Sequence, residues 1–224
     1  MTFADHVLAF NKSLRIKKNL PDGVSVMNPF QDKTAAVLSE QFYKRYYDDN
    51  RQRAIILGIN PGRHGGGITG VPFTDPVKLE NICGIPNDLQ KKAELSAEFM
   101  YAMISAFGGP QKFYGKFYIS GVSPLGFIKD NKNLNYYDIK ELQRAIDDFI
   151  VDCLKKQLAF DIAPDICFCL GEGTNFKFLD ALNRKHQFFK QIVPLPHPRF
   201  IMQYRRKQID SFIALYLEKL KLYR

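Results

Sequence analysis

The sequence predicts an α/β fold in three layers (αβα), with a short, mainly parallel central sheet covered by helices on both faces. Two observations predict this fold. Short apolar runs that end at or just before Gly or Pro alternate with longer segments of helical spacing, and the connections between the runs are long enough for crossover helices. Such connections join parallel strands, and ligands bind these sheets beyond the carboxyl ends of the strands. Functional residues are therefore expected in the loops that follow the strands.

Four apolar runs predict the strands of this sheet. The run from Arg53 to Ile59 is almost continuously apolar and leads into a loop rich in Gly and Pro, as expected for a strand that is buried on both faces. The other three predicted strands are Lys116 to Val122, Asp165 to Gly171 and Phe188 to Val193.

Helical spacing of apolar side chains predicts the covering layers. The predicted helices are Lys33 to Tyr47, Ala93 to Phe107, Glu141 to Phe160, Thr174 to Asn183 and Arg206 to Leu220. Asp138 and Glu141 fit the N-cap and N3 positions at the start of the third of these helices. Because 224 residues fit within one hydrophobic core, we expect a single domain over residues 1–224, with residues 1–50 as its N-terminal helical part.

The charge of the chain is unevenly distributed. The formal net charge is +9, and the segment from Arg184 to Arg224 holds ten Lys or Arg against two acidic residues. A one-sided basic region is typical of proteins that bind nucleic acid, because neutralised phosphates release counterions. Ordinary solvated surface charge is the alternative interpretation.

Several other classes of protein are disfavoured by the sequence. No apolar stretch approaches the ~20 residues that a membrane-spanning helix needs, and the N-terminus does not resemble a secretory signal, so we expect a cytoplasmic protein, associated with the nucleoid if it is bacterial. The cysteines form no Cys-x-x-Cys pair, and we interpret them as reduced core thiols rather than ligands of an iron-sulfur cluster. They are Cys83, Cys153, Cys167 and Cys169.

The Gly-rich loop after the first predicted strand contains a match to the dinucleotide-binding motif. Gly65 to Gly70 fits G-x-G-x-x-G, but these glycines stand far beyond the strand, and Pro72 and Pro76 follow where a helix should open to hold a pyrophosphate. We therefore reject this match. An enzyme that depends on NAD or ATP remains a weaker alternative.

Two other segments resemble a known family. Gly58 to Gly62 with Thr69 to Phe73, and Pro194 to Arg199 after the last predicted strand, are similar to the two motifs of the single-strand-selective monofunctional uracil-DNA glycosylases, within the uracil-DNA glycosylase superfamily. The resemblance covers roughly Arg53 to Lys207. It implies an enzyme of base-excision repair that flips a deaminated base out of DNA and hydrolyses its bond to the sugar, with DNA as its partner. We expect it to act as a monomer without a metal or organic cofactor.

The resemblance implies roles for three side chains. Asn60 would orient the attacking water, His197 would donate a hydrogen bond to the base oxygen where negative charge collects, and Phe73 would stack on the flipped base. Each has a simpler alternative. Asn60 before a proline is a common turn residue, His197 would serve as a buried or capping histidine, and Phe73 would pack in the core.

The expected base pocket also contains backbone from both strand ends. Its expected members are Gly58, Ile59, Gly62, Ser120 and Gly121. Alignment on Pro124 places Gly121 where the family has an Asn whose amide binds the uracil edge. Uracil is therefore the first expected substrate, with xanthine and hypoxanthine as alternatives. A catalytically inactive DNA-binding module of the same fold is the alternative function.

The segment after His197 mixes cations with bulky apolar residues, as expected for contact with phosphates and for a wedge that fills the gap left by a flipped base. The expected DNA-binding residues are Arg199, Phe200, Ile201, Arg205, Arg206 and Lys207, with Phe200 or Ile201 as the wedge. The alternative is the amphipathic start of the last helix. No lysine is singled out for Schiff-base chemistry, so we expect a monofunctional enzyme.

Overall fold

A computed structural model describes residues 1–223 of the chain and leaves Arg224, the last basic residue, outside the described part. Within that part the strands form two sheets. The strands are β1 (Ser25–Met27), β2 (Arg53–Gly58), β3 (Phe117–Gly121), β4 (Gly126–Lys129), β5 (Lys132–Leu134), β6 (Ile162–Leu170) and β7 (Gln191–Leu195).

The larger sheet has the strand order β3-β2-β6-β7, and all its pairs are parallel. Every residue of β2 is buried, as expected for an inner strand with helices on both faces. Together with the helices that flank this sheet, the arrangement confirms the predicted α/β fold. The carboxyl ends of β2 and β3 meet where Gly58 pairs with Gly121, which fixes the two loops that follow at one edge of the sheet.

The helices occupy the segments between the strands, as predicted. The longer helices are α1 (Phe3–Ser13), α2 (Lys33–Tyr47), α5 (Leu95–Phe107), α7 (Lys140–Leu158), α8 (Thr174–His186) and α10 (Ile209–Leu220), and the shorter ones are α3 (Gly66–Thr69), α4 (Pro76–Asn81), α6 (Pro110–Tyr114) and α9 (Pro198–Tyr204). The five predicted helices correspond to α2, α5, α7, α8 and α10, with boundaries that differ by a few residues.

The predicted cap of α7 is wrong. This helix begins at Lys140, after Ile139, and no side chain hydrogen-bonds to its first turn. The Asp138 carboxylate instead accepts a hydrogen bond from the backbone amide of Asn135 at 2.8 Å. A short polar side chain can bind a preceding turn as readily as a following helix, so Asp138 stabilises the turn that leads into α7.

The last strand lies later in the chain than the sequence predicts. Phe188 and Phe189 are buried but precede β7, because the Asn183 amide binds both the amide and the carbonyl of Phe189 and holds this segment as a loop. The strand then continues to Leu195 through Pro194, which is tolerated because β7 is an edge strand.

One of the two sheets was not predicted from the sequence. The smaller sheet is antiparallel with the order β1-β4-β5, and each of its strands has three or four residues, too few for a clear alternating pattern.

A short helix opens after the Gly-rich loop, so the expectation that Pro72 and Pro76 prevent a helix there is wrong in part. α4 begins at Pro76 with the Asp75 side chain as its N-cap, and proline is favoured in the first turn of a helix.

The N-terminal helices are joined to the central sheet through a buried arginine. The Arg53 side chain has no exposed surface, its guanidinium lies 4.7 Å from the Phe3 ring centroid and 4.8 Å from that of Tyr47, and it pairs with Asp49 at 2.8 Å. Because an unpaired buried charge is costly, this contact fixes α1 and α2 against the start of β2. The buried apolar side chains form one cluster that includes all four cysteines, which are free.

Candidate active site

A cavity of about 390 Å³ opens at the carboxyl ends of β2 and β3. It is lined by Asn60 after β2, by Phe73 at the end of the Gly-rich loop, and by His197 after β7. The backbone positions expected from the sequence also line it: Gly58, Ile59, Gly62, Ser120 and Gly121. Side chains that are far apart in the sequence are thus brought around one space large enough for a base.

The Asn60 carboxamide is held by the backbone at the end of β5 and just beyond it. Its Nδ2 donates to the Leu134 carbonyl at 3.0 Å, and its Oδ1 accepts from the Tyr136 amide at 3.0 Å. Both contacts lie outside the Asn60-Pro61 turn, so a local turn alone does not account for this residue. A carbonyl oxygen has two lone pairs, which leaves Oδ1 able to accept one further hydrogen bond in a fixed direction.

The His197 imidazole is a neutral hydrogen-bond donor. Its Nδ1 accepts from the Arg199 backbone amide at 3.1 Å, which caps α9 and leaves the ring proton on Nε2. Burial, and to a lesser extent the Arg199 charge, lowers the pKa of His197 from 6.5 to about 4. The ring is therefore uncharged at neutral pH. The capping role considered as an alternative and a donor role for Nε2–H are compatible.

Phe73 closes the Gly-rich loop in a strained backbone conformation. Its φ is +53°, in the left-handed region that is costly for an aromatic residue. Its ring centroid lies 5.9 Å from that of His197, and a Cβ on Gly58 would come within 2.7 Å of the ring. Glycine at position 58 thus allows the Phe73 ring to lie directly against the end of β2, beside the imidazole.

Gly121 is required by the backbone around it. A Cβ at this position would lie 2.4 Å from the Ser123 carbonyl oxygen and 3.2 Å from that of Ile59. Neither atom belongs to a flexible side chain, so no larger residue fits without a shift of the main chain. Ser120 is only 4% exposed. At this strand end the cavity therefore offers backbone groups and one hydroxyl, with no amide side chain.

Glu94, which the sequence analysis did not single out, is a partly buried carboxyl group on the cavity wall. Its Oε2 would lie 1.9 Å from a Cβ on Gly65, so glycine at that position makes room for it. Burial, together with the charge of Asp75, raises the pKa of Glu94 from 4.5 to about 7, against the opposing effect of Arg199. The only signal in the sequence was its place at the start of a helix.

The segment after His197 separates the expected DNA-binding residues into two groups. Arg199 and Phe200 line the mouth of the cavity, and Arg205, Arg206 and Lys207 follow on an exposed turn. Ile201 has no exposed surface, because it packs into the core from α9. Ile201 as a wedge or DNA contact is therefore wrong. Phe200 is 44% exposed and remains the candidate.

One wall of the cavity comes from parts of the chain that the sequence analysis did not connect to it. This wall is formed by Asn11 of α1, by Phe30, which precedes α2, and by Tyr43 of α2, together with Tyr118 of β3. Amphipathic spacing predicts that such residues are buried, but it does not show which space they face. Residues 1–50 thus contribute directly to the cavity.

No group of three or more His, Cys, Asp or Glu side chains is arranged to hold a metal ion within residues 1–223. None of the helices in this part of the chain combines the length and apolar character needed to cross a membrane.

The parallel α/β sheet, with an asparagine and a histidine at its carboxyl edge, indicates the class of protein that the two sequence motifs resemble. Comparison with known proteins identifies the same class. Residues 45–221 match the model of the uracil DNA glycosylase superfamily, so the chain belongs to that superfamily. It is also similar to the crystal structure of wild-type Pedobacter heparinus SMUG2, with 48% identity, a TM-score of 0.96, and coverage of 99% of this chain and 98% of the other. No curated protein matches the chain. The resemblance inferred from the two motifs is confirmed.

Proposed function

We propose that the chain is a monofunctional DNA glycosylase of base-excision repair, which hydrolyses the N-glycosidic bond of a deaminated base that is flipped out of DNA. The observation that carries the proposal is the convergence of Asn60, Phe73 and His197 on one cavity. The family and its SMUG2 relative support a DNA glycosylase. Residues 1–224 would form one domain, which would act as a monomer in the cytoplasm and without a metal or cofactor.

The mechanism follows from the charges that develop as the bond breaks. Positive charge grows on the sugar and negative charge on the departing base, as in an oxocarbenium-like transition state. The Nε2–H of neutral His197 would donate to the base oxygen, and the remaining lone pair of Asn60 Oδ1 would orient the water that captures the sugar carbon. Because a carboxamide is not a base, bond breaking would run ahead of water attack.

The residues that line the cavity support a deaminated base as the substrate. Phe73 would stack on the flipped base, and uracil is the first expected substrate. Xanthine and hypoxanthine are the alternatives, because the position of the family's uracil-binding Asn is Gly121 here. Arg199, Arg205, Arg206 and Lys207 would contact phosphates, and Phe200 would fill the gap in the duplex.

Single-turnover release of uracil, xanthine and hypoxanthine from single- and double-stranded oligonucleotides tests this function. Loss of one transition-state donor typically costs about 10²- to 10³-fold in rate, so His197→Ala should lose about this much. Asn60→Ala should also slow base release sharply, because the acceptor that orients the attacking water is removed. His64→Ala is the matched histidine control, since His64 lies in the Gly-rich loop. Asn87→Ala is the matched amide control, since the Asn87 carboxamide is also held by the backbone, through bonds to the carbonyls of Pro76 and Ile85, and does not line the cavity. Both controls should keep full activity.

Three results would contradict the proposal. Full activity of both catalytic variants would remove the mechanism. Trapping of the protein on DNA by borohydride would show a covalent lysine intermediate, in conflict with a monofunctional enzyme. Release of none of the three bases by the unaltered protein would favour the alternative, an inactive DNA-binding module of the same fold.

A further inference from the structure

The cavity wall contributed by α1 and α2 lies outside the part of the chain that matches the superfamily. That match begins at residue 45, whereas Asn11 and Tyr43, which line the cavity, both precede it. Four of the residues on this side of the cavity, Asn11, Tyr43, Tyr118 and Ser120, carry a carboxamide or a hydroxyl group, and Phe30 is apolar. A few polar groups in a mainly apolar cavity suit the recognition of the hydrogen-bonding edge of a ligand.

Asn11 is the most unusual member of this wall. It lies in the last turn of α1, is 5% exposed, and its Nδ2 has no hydrogen-bond partner among residues 1–223. The amide lies close enough to the Tyr43 hydroxyl to oppose the rise in the Tyr43 pKa that burial causes, but it makes no hydrogen bond of ordinary geometry with it. A buried N–H group without a partner destabilises a folded protein, and such groups are rare enough to need an explanation. A ligand in the cavity would supply the missing acceptor.

The carboxyl end of β3, which lies nearest to this wall, cannot supply a side-chain amide donor. Position 121 holds glycine because a Cβ would collide with the Ser123 carbonyl oxygen, so no carboxamide can extend from that point. Asn11 belongs to a helix that packs on β3, since its Phe3 lies against Tyr118 with ring centroids 5.3 Å apart, and both Asn11 and Tyr118 line the cavity. The amide that is absent from the strand end is thus available from the N-terminal helix.

The two sides of the cavity lie at opposite edges of the parallel sheet. β3 and β7 are the two edges of the parallel sheet, with β2 and β6 between them. Neighbouring strands lie about 4.8 Å apart, so the two edges are separated by roughly 14 Å. This span accommodates a base with one hydrogen bond at each end. His197, which follows β7, would serve one edge of the base, and the wall beside β3 would serve the other.

We propose that Asn11 is a specificity-determining residue, whose Nδ2–H donates a hydrogen bond to the carbonyl oxygen that deamination creates on the base. Deamination replaces an exocyclic amine with a carbonyl in cytosine, adenine and guanine alike, so an acceptor takes the place of a donor. A fixed N–H group matches the carbonyl and opposes the amine. One donor would therefore favour uracil over cytosine, and hypoxanthine over adenine, whereas thymine, which carries the same carbonyl as uracil, must be excluded by other contacts. This inference rests on the proposed glycosylase function.

The test compares Asn11→Leu, which keeps the volume and removes the amide, with Gln157→Leu. Gln157 is a matched control because it is also a buried carboxamide with one unpaired atom, on α7, and it does not line the cavity. We expect kcat/KM for deaminated bases to fall at least about tenfold in Asn11→Leu, the equivalent of one lost hydrogen bond, and to be unchanged in Gln157→Leu. Asn11→Ala provides a second variant that cannot clash.

Two further measurements separate base recognition from a structural role. Affinity for an oligonucleotide with a tetrahydrofuran abasic site, which has no base to contact, should be the same in all variants. The Tm of Asn11→Leu should equal or exceed that of the unaltered protein, because an unpaired buried group is removed. Unchanged kcat/KM in both Asn11 variants would overturn the inference. A loss of abasic-site binding and of Tm together with activity would also overturn it. Either result would leave the proposed glycosylase function standing. Absence of base release by the unaltered protein would instead overturn the proposed function and this inference with it.

Discussion

Replacement of Glu94 by Gln should change how the stability of the protein depends on pH. Burial and the neighbouring Asp75 carboxylate raise the pKa of Glu94 from 4.5 to about 7. A carboxyl group with a raised pKa binds its proton more tightly in the folded state than in the unfolded state. Its contribution to stability is therefore fully present below pH 4.5 and is lost as the pH rises through about 7.

The size of this effect follows from the interval between the two pKa values. One pH unit corresponds to about 1.4 kcal/mol, so the interval from 4.5 to about 7 sets an upper limit of about 3 kcal/mol. Partial exposure of the Glu94 side chain reduces this figure through solvent screening, and we expect roughly 1–3 kcal/mol. Glutamine is uncharged at every pH, so the difference in stability between the variant and the unaltered protein should grow in favour of the variant across this window.

Urea denaturation at several pH values between 4.5 and 8 measures this difference. His197 contributes an opposite dependence. Its pKa is lowered to about 4, so its stabilisation is present above pH 6.5 and is lost on acidification, but this effect is common to both proteins and cancels. Glu98→Gln, one helical turn further along α5, is the control and should not reproduce the effect. Parallel stability curves for Glu94→Gln and the unaltered protein would refute the reasoning.

Two further predictions concern the strand end and the basic turn. Gly121→Asn should lower the free energy of unfolding by about 1–3 kcal/mol, because its Cβ would lie 2.4 Å from the Ser123 carbonyl oxygen. Gly121→Ala should be destabilised by a similar amount, as measured by thermal melts. A stable variant with improved uracil release would contradict this prediction. Arg206→Ala should reduce the salt dependence of DNA affinity by about one unit of log–log slope while changing stability by less than about 1 kcal/mol, since its pair with Glu98 is exposed. Arg184→Ala, from the exposed pair with Asp180, should leave that slope unchanged.

The sequence was sufficient to predict the central sheet and two of its functional loops. β2 is an almost continuous apolar run bounded by Gly and Pro, which is the strongest pattern that a buried parallel strand can give. Asn60 and His197 could be found because each lies in a distinctive motif directly after a strand. The parallel topology then brings such loops together.

Other parts of the site depend on tertiary packing that leaves no local pattern. The clamp on Asn60 is made by backbone groups of Leu134 and Tyr136, and backbone groups have no sequence signature. Asn11 looks like any polar residue near the end of an amphipathic helix, and Glu94 like an ordinary residue in a first helical turn. Ile201 was predicted as a wedge because it is a bulky apolar residue among cations, although the short helix α9 turns it into the core.

The buried Arg53 has a practical consequence for anyone who expresses part of this protein. A fragment trimmed to residues 45–221, the limits of the superfamily match, would discard the aromatic partner that Phe3 provides for the guanidinium and would leave that face of the sheet bare. Apolar surface uncovered in this way promotes aggregation. Such a fragment is expected to collect in inclusion bodies, and preparations for binding or activity work should retain the N-terminal helices.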